Sequence, residues 1–175
     1  MVTIAAPRGR ERIEHAWAVL ATVLDPEVPA LSVCDLGMVR AVREGGATLE
    51  VTLTPTYSGC PATEVIEVQV LEALRQANLG PVQVRWQRTP AWSSDWISTE
   101  GRRKLHAYGI APPAPAAVVP QSTPIRWRQR SSALVSCPHC GSVETTELSA
   151  FGSTACKALY RCLSCREPFE YFKPI

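Results

Sequence analysis

Cys60 is a cysteine whose position in the chain could make its sulfur reactive. It follows a polar loop, and Pro61 suits the first position of a helix that the next residues predict. Cys60 would then be the helix N-cap, an exposed sulfur at the positive end of the dipole, which favours the metal-binding thiolate. The alternative is a small buried filler, since cysteine outside disulfides is among the most buried residue types. The polar neighbours Thr54 and Thr56 support the reactive thiol, and the position alone leaves both interpretations open.

Three carboxylates precede this loop. Asp25 and Glu27 lie in the sequence DPEVP at 25–29, where two prolines restrict the backbone that presents Glu27. The alternative for this motif is a helix stop with solvated acids. Asp35 lies in an apolar run at 31–39 and needs hydrogen-bond donors. We therefore expect Asp35 to cap a local turn or to face the Cys60 loop.

Four further cysteines have the spacing of a metal site. They form two C-x-x-C pairs separated by 21 residues: Cys137 with Cys140, and Cys162 with Cys165. The two-residue spacing lets both sulfurs of a pair reach one tetrahedral ion at about 2.3 Å. About forty residues bury too little apolar area to fold unaided, so binding of an ion, on the order of 10–16 kcal/mol, would stabilise this segment. The pattern predicts a metal-binding ribbon.

The sequence leaves the metal of this site open. Zinc is the default for four thiolates, and iron or an iron–sulfur cluster also suits them. Cys156 is a fifth nearby thiol that could be a spare, an alternative ligand or part of a second, labile site. His139 lies inside the first pair. We expect it to donate a hydrogen bond to one of the metal ligands or to be exposed, rather than to be a ligand itself.

The surrounding periodicity predicts the elements that hold these residues. Apolar residues at 13, 17, 20 and 24 indicate a helix ending at 25–26, and alternation over 48–54 indicates a half-buried strand. A glycine turn at 44–46 pairs that strand with 38–43, a helix follows Cys60, and 82–86 and 99–108 predict a third strand and a short helix. Between them, Trp92 and Trp96 could form a lid over the Cys60 loop or anchor the core. These elements make a small α+β domain.

The domain organisation follows from composition. We predict an α+β domain at 1–110, a stiff proline- and alanine-rich linker at 111–130, and a metal-binding ribbon at 131–175 with strands at 143–149, 157–161 and 169–173. The basic run at 126–130 is interpreted as a solvated strand edge rather than a nucleic-acid contact.

The totals exclude several classes of protein. Of the 175 residues, 46% are apolar and 19% charged, which is typical of a globular chain, and the net charge of +2 is too small to favour nucleic acid or a membrane surface. No apolar run could span a bilayer, and the N-terminus lacks an export signal. Seven cysteines in such a chain indicate metal binding in a reducing cytoplasm rather than disulfides.

Several motifs together resemble a known family. DPEVP at 25–29, DLGMV at 35–39 and TPTYSGCP at 54–61 are similar to the iron–sulfur cluster assembly family that includes SufT. The tryptophan loop at 92–96 and the tail FGSTACKALYRC at 151–162 resemble the branch of that family found in the bacterial phenylacetate pathway. The resemblance covers nearly the whole chain and implies a SufT-like α+β fold followed by a zinc ribbon.

The resemblance also implies a function and its partners. It implies a cytoplasmic accessory protein of a phenylacetyl-CoA epoxidase, which has a di-iron oxygenase and an iron–sulfur reductase. Cys60 would hold iron or a cluster transiently, with Asp25, Glu27 and Asp35 as neighbouring oxygen ligands or proton acceptors. The ribbon would dock the client subunit, and two chains could pair.

Other functions remain open at this stage. A structural subunit of the oxygenase complex would not need the Cys60 sulfur. A dithiol oxidoreductase is disfavoured because redox C-x-x-C motifs normally occur singly at a helix start. We find no serine–histidine–aspartate set, no phosphate-binding glycine loop and no nicotinamide fingerprint, and so we expect no independent catalytic turnover.

Overall fold

The computed structural model describes residues 9–57, 59–114 and 134–175. The chain divides into two compact units, Met1–Gly101 and Arg102–Ile175. Within the described ranges, none of the helices combines the length and the apolar character that crossing a membrane would need.

The first unit is built on a three-stranded sheet in the order β1-β2-β3. Strands β1 (Val39–Gly45) and β2 (Thr48–Leu53) form the predicted antiparallel hairpin. Helix α2 (Thr63–Gln76) then returns the chain to β3 (Val82–Trp86), which pairs parallel to β2. The sheet and helix pack through the apolar positions that the periodicity predicted, all of them fully buried: Leu49, Val51, Leu53, Ile66, Val70 and Leu74.

Helix α1 (Gly9–Leu20) ends earlier than predicted. The apolar spacing placed its end at 25–26, yet Leu24 is 47% exposed and pairs with Ser32 in an isolated β-bridge. Backbone hydrogen bonds explain the early stop, because Val33 donates to the Val23 carbonyl and Asp25 to the Leu31 carbonyl, each at 2.8–2.9 Å. These bonds hold residues 23–33 as a closed loop and leave no helical partner for residue 24.

The tryptophan loop is fastened to the turn that precedes β1. Trp92 is 4% exposed and its indole Nε1 donates to the Leu36 carbonyl at 2.8 Å. A short 3₁₀ helix, Ser94–Trp96, follows, and the Arg40 guanidinium lies 3.6 Å from the centre of the Trp96 ring. Trp92 therefore anchors the core, which was one of the two expected roles, whereas Trp96 is half-buried.

Helix α3 (Thr99–Ala107) is followed two residues later by Gly109, whose φ of +87° is the left-handed conformation expected just after a helix. The second unit then contains a four-stranded sheet in the order β4-β7-β6-β5. The predicted ribbon strands correspond to β5 (Thr145–Ser149), β6 (Lys157–Cys162) and β7 (Pro168–Phe172). Strand β4 (Ile110–Ala111) was not predicted, and it pairs parallel to β7.

An aromatic cluster gives this second unit a core of its own. Tyr160 packs against Phe169 and Tyr171 with ring centroids 5.9 and 5.5 Å apart. Cys137 and Cys162 belong to the same buried cluster, so apolar packing and the cysteine site are continuous. Most of the predicted linker at 111–130, including the basic run at 126–130, lies outside the described residues.

Candidate functional site

Cys60 lies in the loop between the carboxyl end of β2 and the start of α2. The expectation that it caps the helix is wrong, because α2 begins at Thr63 and its N-cap is Ala62. The Cys60 carbonyl instead accepts hydrogen bonds from the Thr63 hydroxyl at 3.1 Å and from the Thr63 amide at 3.5 Å. These bonds close a turn over residues 60–63 and delay the helix. The first helical amides therefore lie further along the chain than the sequence suggested.

The expectation of an exposed sulfur is also wrong. Cys60 is 8% exposed, although Gly59 and Pro61 on either side of it are exposed. Its amide donates to the Tyr57 carbonyl at 3.2 Å, which fixes the backbone of the loop. The thiol is thus a largely buried group between two surface residues.

Thr54 and Thr56 lie in the same loop and are both buried, at 1% and 6% exposure. The Thr54 amide donates to the Met38 carbonyl at 2.9 Å, which ties the loop to the turn before β1. Its hydroxyl has no hydrogen-bond partner among the described residues. A buried hydroxyl without a partner costs about 1–3 kcal/mol, and an ordered water or a bound group can supply the missing hydrogen bond.

Asp25 is buried and closes a turn. Its Oδ1 accepts hydrogen bonds from the Glu27 and Val28 amides, both at 2.8 Å. Glu27, which is half-buried, contributes its amide to that turn. The Asp25 contacts are those of a backbone cap, the chemistry that favours aspartate in such turns.

Asp35 also caps a turn, which is one of its two expected roles. Its Oδ2 accepts from the Ser32 amide at 3.0 Å and from the Ser32 hydroxyl at 2.8 Å. Its backbone carbonyl accepts from the Ser98 amide at 2.9 Å, and its Oδ1 lies 3.4 Å from the Ser98 hydroxyl. Asp35 therefore holds together the turn before β1 and the segment that follows the tryptophan loop.

Backbone hydrogen bonds link these predicted residues into one connected region. Asp25 donates to Leu31, the Asp35 turn follows at 32–38, and Met38 accepts from Thr54. The two aspartates thus build the framework on which the loop from Thr54 to Cys60 rests.

A cleft of about 280 Å³ borders this loop. It opens beside the carboxyl ends of the parallel strands β2 and β3, the position where α/β sheets usually bind ligands. Trp86 lines it, and the indole Nε1 of Trp86 donates to Glu67 Oε2 at 2.6 Å. Pro55 and Thr63 contribute to its lining from the loop side. The residues that line it do not include Cys60 or Thr54.

The second unit brings the four predicted cysteines together. The ligand atoms of Cys137, Cys140, Cys162 and Cys165 all lie within 4.8 Å of one another. The Cys137 and Cys165 sulfurs are 3.8 Å apart, and those of Cys140 and Cys162 are 3.5 Å apart. Four sulfurs about 2.3 Å from a tetrahedral ion would be about 3.8 Å apart. The donor set and its spacing therefore fit a four-thiolate metal ion.

A backbone amide within this site stabilises a cysteine thiolate. The Cys165 amide points at Cys162 Sγ, 3.4 Å away. That hydrogen bond is the main cause that lowers the pKa of the Cys162 thiol to about 6. A lowered pKa favours the thiolate, the form that metal binding requires.

His139 and Cys156 lie outside the four-cysteine cluster. His139 is exposed, as expected, and its ring faces Gly109. Cys156 is 5% exposed, and its sulfur is 3.0 Å from the Thr154 hydroxyl. The seven cysteines form no disulfide.

Sequence reasoning missed two polar arrangements in this unit. Ser142 and Ser164 connect the two cysteine pairs through their hydroxyls. Lys157 and Glu170 form an ion pair at 2.9 Å, in which the lysine side chain is only 4% exposed. The available signals were a serine inside the second C-x-x-C pair and a lysine at a buried strand position, and neither identifies its partner.

Comparison with known proteins follows the division seen in the structure. Residues 13–86 match the family model described as "Iron-sulfur cluster assembly protein", and residues 121–173 match "PaaD zinc beta ribbon domain". An Escherichia coli protein, named as one of the subunits of a "Putative 1,2-phenylacetyl-CoA epoxidase", is 47% identical over 175 residues, which is 100% of this chain and 98% of that protein.

Two further relatives match the first unit. A "Fe-S protein maturation auxiliary factor" of Porphyromonas gingivalis is 33% identical over 94 residues, covering 53% of this chain and 89% of its own length. The crystal structure of a domain of unknown function, DUF59, from Bacillus anthracis has a TM-score of 0.52 and 25% identity, over 55% of this chain and 93% of that one. The SufT-like fold expected for the first unit is confirmed.

Proposed function

This chain belongs to the PaaD family, together with the Escherichia coli epoxidase protein, and we propose that it is an accessory protein of a phenylacetyl-CoA epoxidase. It assists assembly of the iron–sulfur cluster or the di-iron centre in the reductase or oxygenase subunits. It works in the cytoplasm, where the reducing environment keeps its seven cysteines from forming disulfides.

The observation that carries the proposal is the loop between β2 and α2. It places a sulfur, Cys60, and an unpartnered buried hydroxyl, Thr54, within one short segment beside an open cleft. A soft sulfur donor suits iron and its clusters, and a single protein thiolate holds such a cargo weakly enough to release it. The similarity of this unit to a maturation factor supports the same role.

Transfer requires only an exchange of ligands. The Cys60 thiolate binds iron of the cargo, a thiolate or carboxylate of the client then binds the same iron, and the bond to the Cys60 sulfur breaks. Neither the iron nor the sulfur changes oxidation state. Where the client group is a thiol, its proton passes to the Cys60 thiolate as that sulfur is released, since ligands must be deprotonated; a client carboxylate binds with no proton to lose. Asp25 and Asp35 act as positioning residues, because their described contacts are turns that support the loop.

The ribbon has a separate role in this proposal. Its four cysteines hold a permanent ion, zinc by preference, which stabilises the second unit. Two cysteine pairs that fill all four positions of a tetrahedral ion leave no open position through which the ion could be exchanged. The ribbon therefore serves to dock the client subunit rather than to deliver metal to it.

The test is a strain that expresses the epoxidase and lacks this chain. Complementation with the natural chain should restore iron and sulfide in the purified oxygenase and reductase, and Cys60→Ala should not. Cys34→Ala is the matched control, because Cys34 is a half-buried thiol of the same unit outside the loop. Full metal content with Cys60→Ala would contradict the delivery role.

The low exposure of Cys60 favours one alternative, a structural subunit of the oxygenase complex. A structural subunit would copurify with the oxygenase in a fixed ratio, and metal content would be indifferent to Cys60→Ala. The same complementation experiment separates the two functions.

A further inference from the structure

The four cysteines of the metal site differ in their exposure to solvent. The first cysteine of each pair, Cys137 or Cys162, is fully buried, and these two are called the inner cysteines. The second cysteine of each pair, Cys140 or Cys165, is exposed, and these two are called the outer cysteines. All seven cysteines of the chain lie within the described residues, and only the outer two are exposed. An oxidant in solution therefore meets two metal ligands before it meets any other thiol.

Packing in the second unit explains this asymmetry. The inner cysteines belong to the buried cluster that contains Tyr160 and Phe169. The outer cysteines lie in two stretches, 139–141 and 163–168, in which every residue is exposed. The metal site thus has one face closed by the apolar core and one face open to solvent.

The outer cysteines meet the conditions for a redox-sensitive pair. Such cysteines are solvent-accessible, are present as thiolates and have a second sulfur close by. A metal-bound cysteine is a thiolate, and all four sulfurs lie within 4.8 Å of one another. Cys34 is half-buried, and burial raises the pKa of its thiol to about 11, so it has little thiolate to offer an oxidant.

We propose that Cys140 and Cys165 form a peroxide-sensitive edge of the metal site, and that their oxidation to a disulfide releases the ion. The Cys140 thiolate attacks one oxygen of hydrogen peroxide, which gives a sulfenic acid and a hydroxide ion. The Cys165 thiolate then attacks the Cys140 sulfur, the S–S bond forms, the S–O bond breaks and a second hydroxide leaves. The two sulfurs together lose the two electrons that the peroxide gains.

The open face selects these two sulfurs as the disulfide partners. The Cys140 and Cys162 sulfurs are 3.5 Å apart, yet Cys162 is fully buried and its sulfur accepts the Cys165 amide at 3.4 Å. A disulfide needs its sulfurs about 2.05 Å apart, so at least one of them must move. The outer sulfurs can move toward each other on the solvent side, whereas close packing holds the inner two.

Oxidation of this edge would turn the ribbon off. The two remaining thiolates cannot complete a tetrahedron, and the binding energy of the ion is part of the folding energy of a small metal-binding module. That the chain then loses its docking to the client rests on the proposed function. A dithiol reductant reverses the change, because it gives two electrons to the disulfide and restores both thiols. Transient disulfides of this kind are the redox-sensing exception in a reducing cytoplasm.

The experiment treats the zinc-loaded full chain with less than one equivalent of hydrogen peroxide. Zinc release is measured with a colorimetric chelator, remaining thiols are blocked with iodoacetamide, and the peptides are mapped without reduction. We expect a disulfide between Cys140 and Cys165 in an amount equal to the zinc released, with the inner cysteines alkylated. Dithiothreitol followed by zinc should restore one ion per chain.

A double variant, Cys140→His with Cys165→His, tests the edge from the other side. Imidazole is an ordinary zinc ligand and cannot form a disulfide, and a site of two cysteines and two histidines is a common zinc site. Peroxide should release zinc from this variant about tenfold more slowly or less. Cys34→Ala removes the next most exposed thiol and should release zinc at the natural rate. If the double variant binds no zinc, the disulfide map of the natural chain still decides the proposal.

Three results would overturn the peroxide-sensitive edge. They are zinc that stays bound while Cys34 or Cys60 is oxidised, a disulfide that includes an inner cysteine, and zinc binding that dithiothreitol does not restore. The measurement uses the chain without a client, so any of these failures leaves the delivery role of Cys60 standing. If Cys60→Ala delivers metal normally, the proposed function is wrong, and the disulfide map still decides the edge.

Discussion

The Ser142 and Ser164 hydroxyl oxygens lie 2.8 Å apart and join the two cysteine pairs of the second unit. Ser142 Oγ accepts from the Glu144 amide at 3.1 Å, and Ser164 Oγ donates to Glu144 Oε2 at 3.4 Å. The Ser142 carbonyl accepts from the Cys137 amide at 2.9 Å. The three residues therefore hold both ligand loops in register, and none of them belongs to the four-cysteine cluster.

Removing either hydroxyl should loosen the metal site. We expect Ser142→Ala or Ser164→Ala to release zinc to a chelator about tenfold faster or more, since outer contacts orient the ligands. The effect of the double variant should be smaller than the sum of the two single effects, because both single variants remove the bond between the two hydroxyls. Thr146→Ala, an exposed hydroxyl on β5, is the control. An unchanged rate of zinc release in both serine variants would mean that the cysteine loops keep their positions without the bond between the two hydroxyls.

Thr54→Val should separate stability from function. The substitution replaces a buried hydroxyl that has no partner among the described residues with a methyl group of similar size. The free energy of unfolding should rise by about 1 kcal/mol in urea titrations, while the metal content of the epoxidase should fall. A loss of stability would show that the hydroxyl is satisfied in solution.

Gly37→Ala should destabilise the first unit strongly. Gly37 has a φ of +65°, and a Cβ there would lie 2.4 Å from the Trp96 carbonyl oxygen. Gly46 has a φ of +70° with nothing within 4 Å of a Cβ, so Gly46→Ala measures the backbone strain alone. We expect a cost of roughly 1–2 kcal/mol at Gly46 and several kcal/mol at Gly37 in thermal or urea unfolding. Equal costs would mean that the tryptophan loop does not press against Gly37.

Cys34 should react slowly with alkylating reagents. Burial, and secondarily the Asp35 charge, raises the pKa of its thiol from 9.0 to about 11. A thiol pKa raised by about two units leaves about a hundredfold less thiolate at any pH below both the ordinary and the raised pKa. The thiolate is the form that reacts. The rate should rise tenfold per unit from about pH 7 to about pH 10 without levelling off. Peptide mapping of the metal-loaded chain with iodoacetamide measures this, and a plateau below about pH 9 would contradict it.

The fold was largely predictable because its signals are local. The alternation at 48–54 gave β2, and the spacing of Ile66, Val70 and Leu74 gave α2. The two C-x-x-C pairs gave the cysteine cluster, because their spacing itself encodes the tetrahedral geometry.

The parts that could not be predicted depend on partners distant in the chain or on competition between neighbours. The Thr63 hydroxyl bonds to the Cys60 carbonyl and closes a turn, so that Ala62 rather than Cys60 is the N-cap of α2, which the local sequence did not reveal. Ser142 and Ser164 are 22 residues apart, and Lys157 and Glu170 meet only once β6 and β7 pair. Burial of Cys60 likewise results from tertiary packing, which local polarity did not reveal.

The most direct test of the account is transfer of iron from the purified chain to a purified client. The chain is loaded with ferrous iron and sulfide without oxygen and mixed with metal-free reductase or oxygenase, and the iron bound to the reisolated client is measured over time. The account predicts that the natural chain and Cys34→Ala transfer iron and that Cys60→Ala transfers about a tenth as much or less. Equal transfer by Cys60→Ala would contradict it.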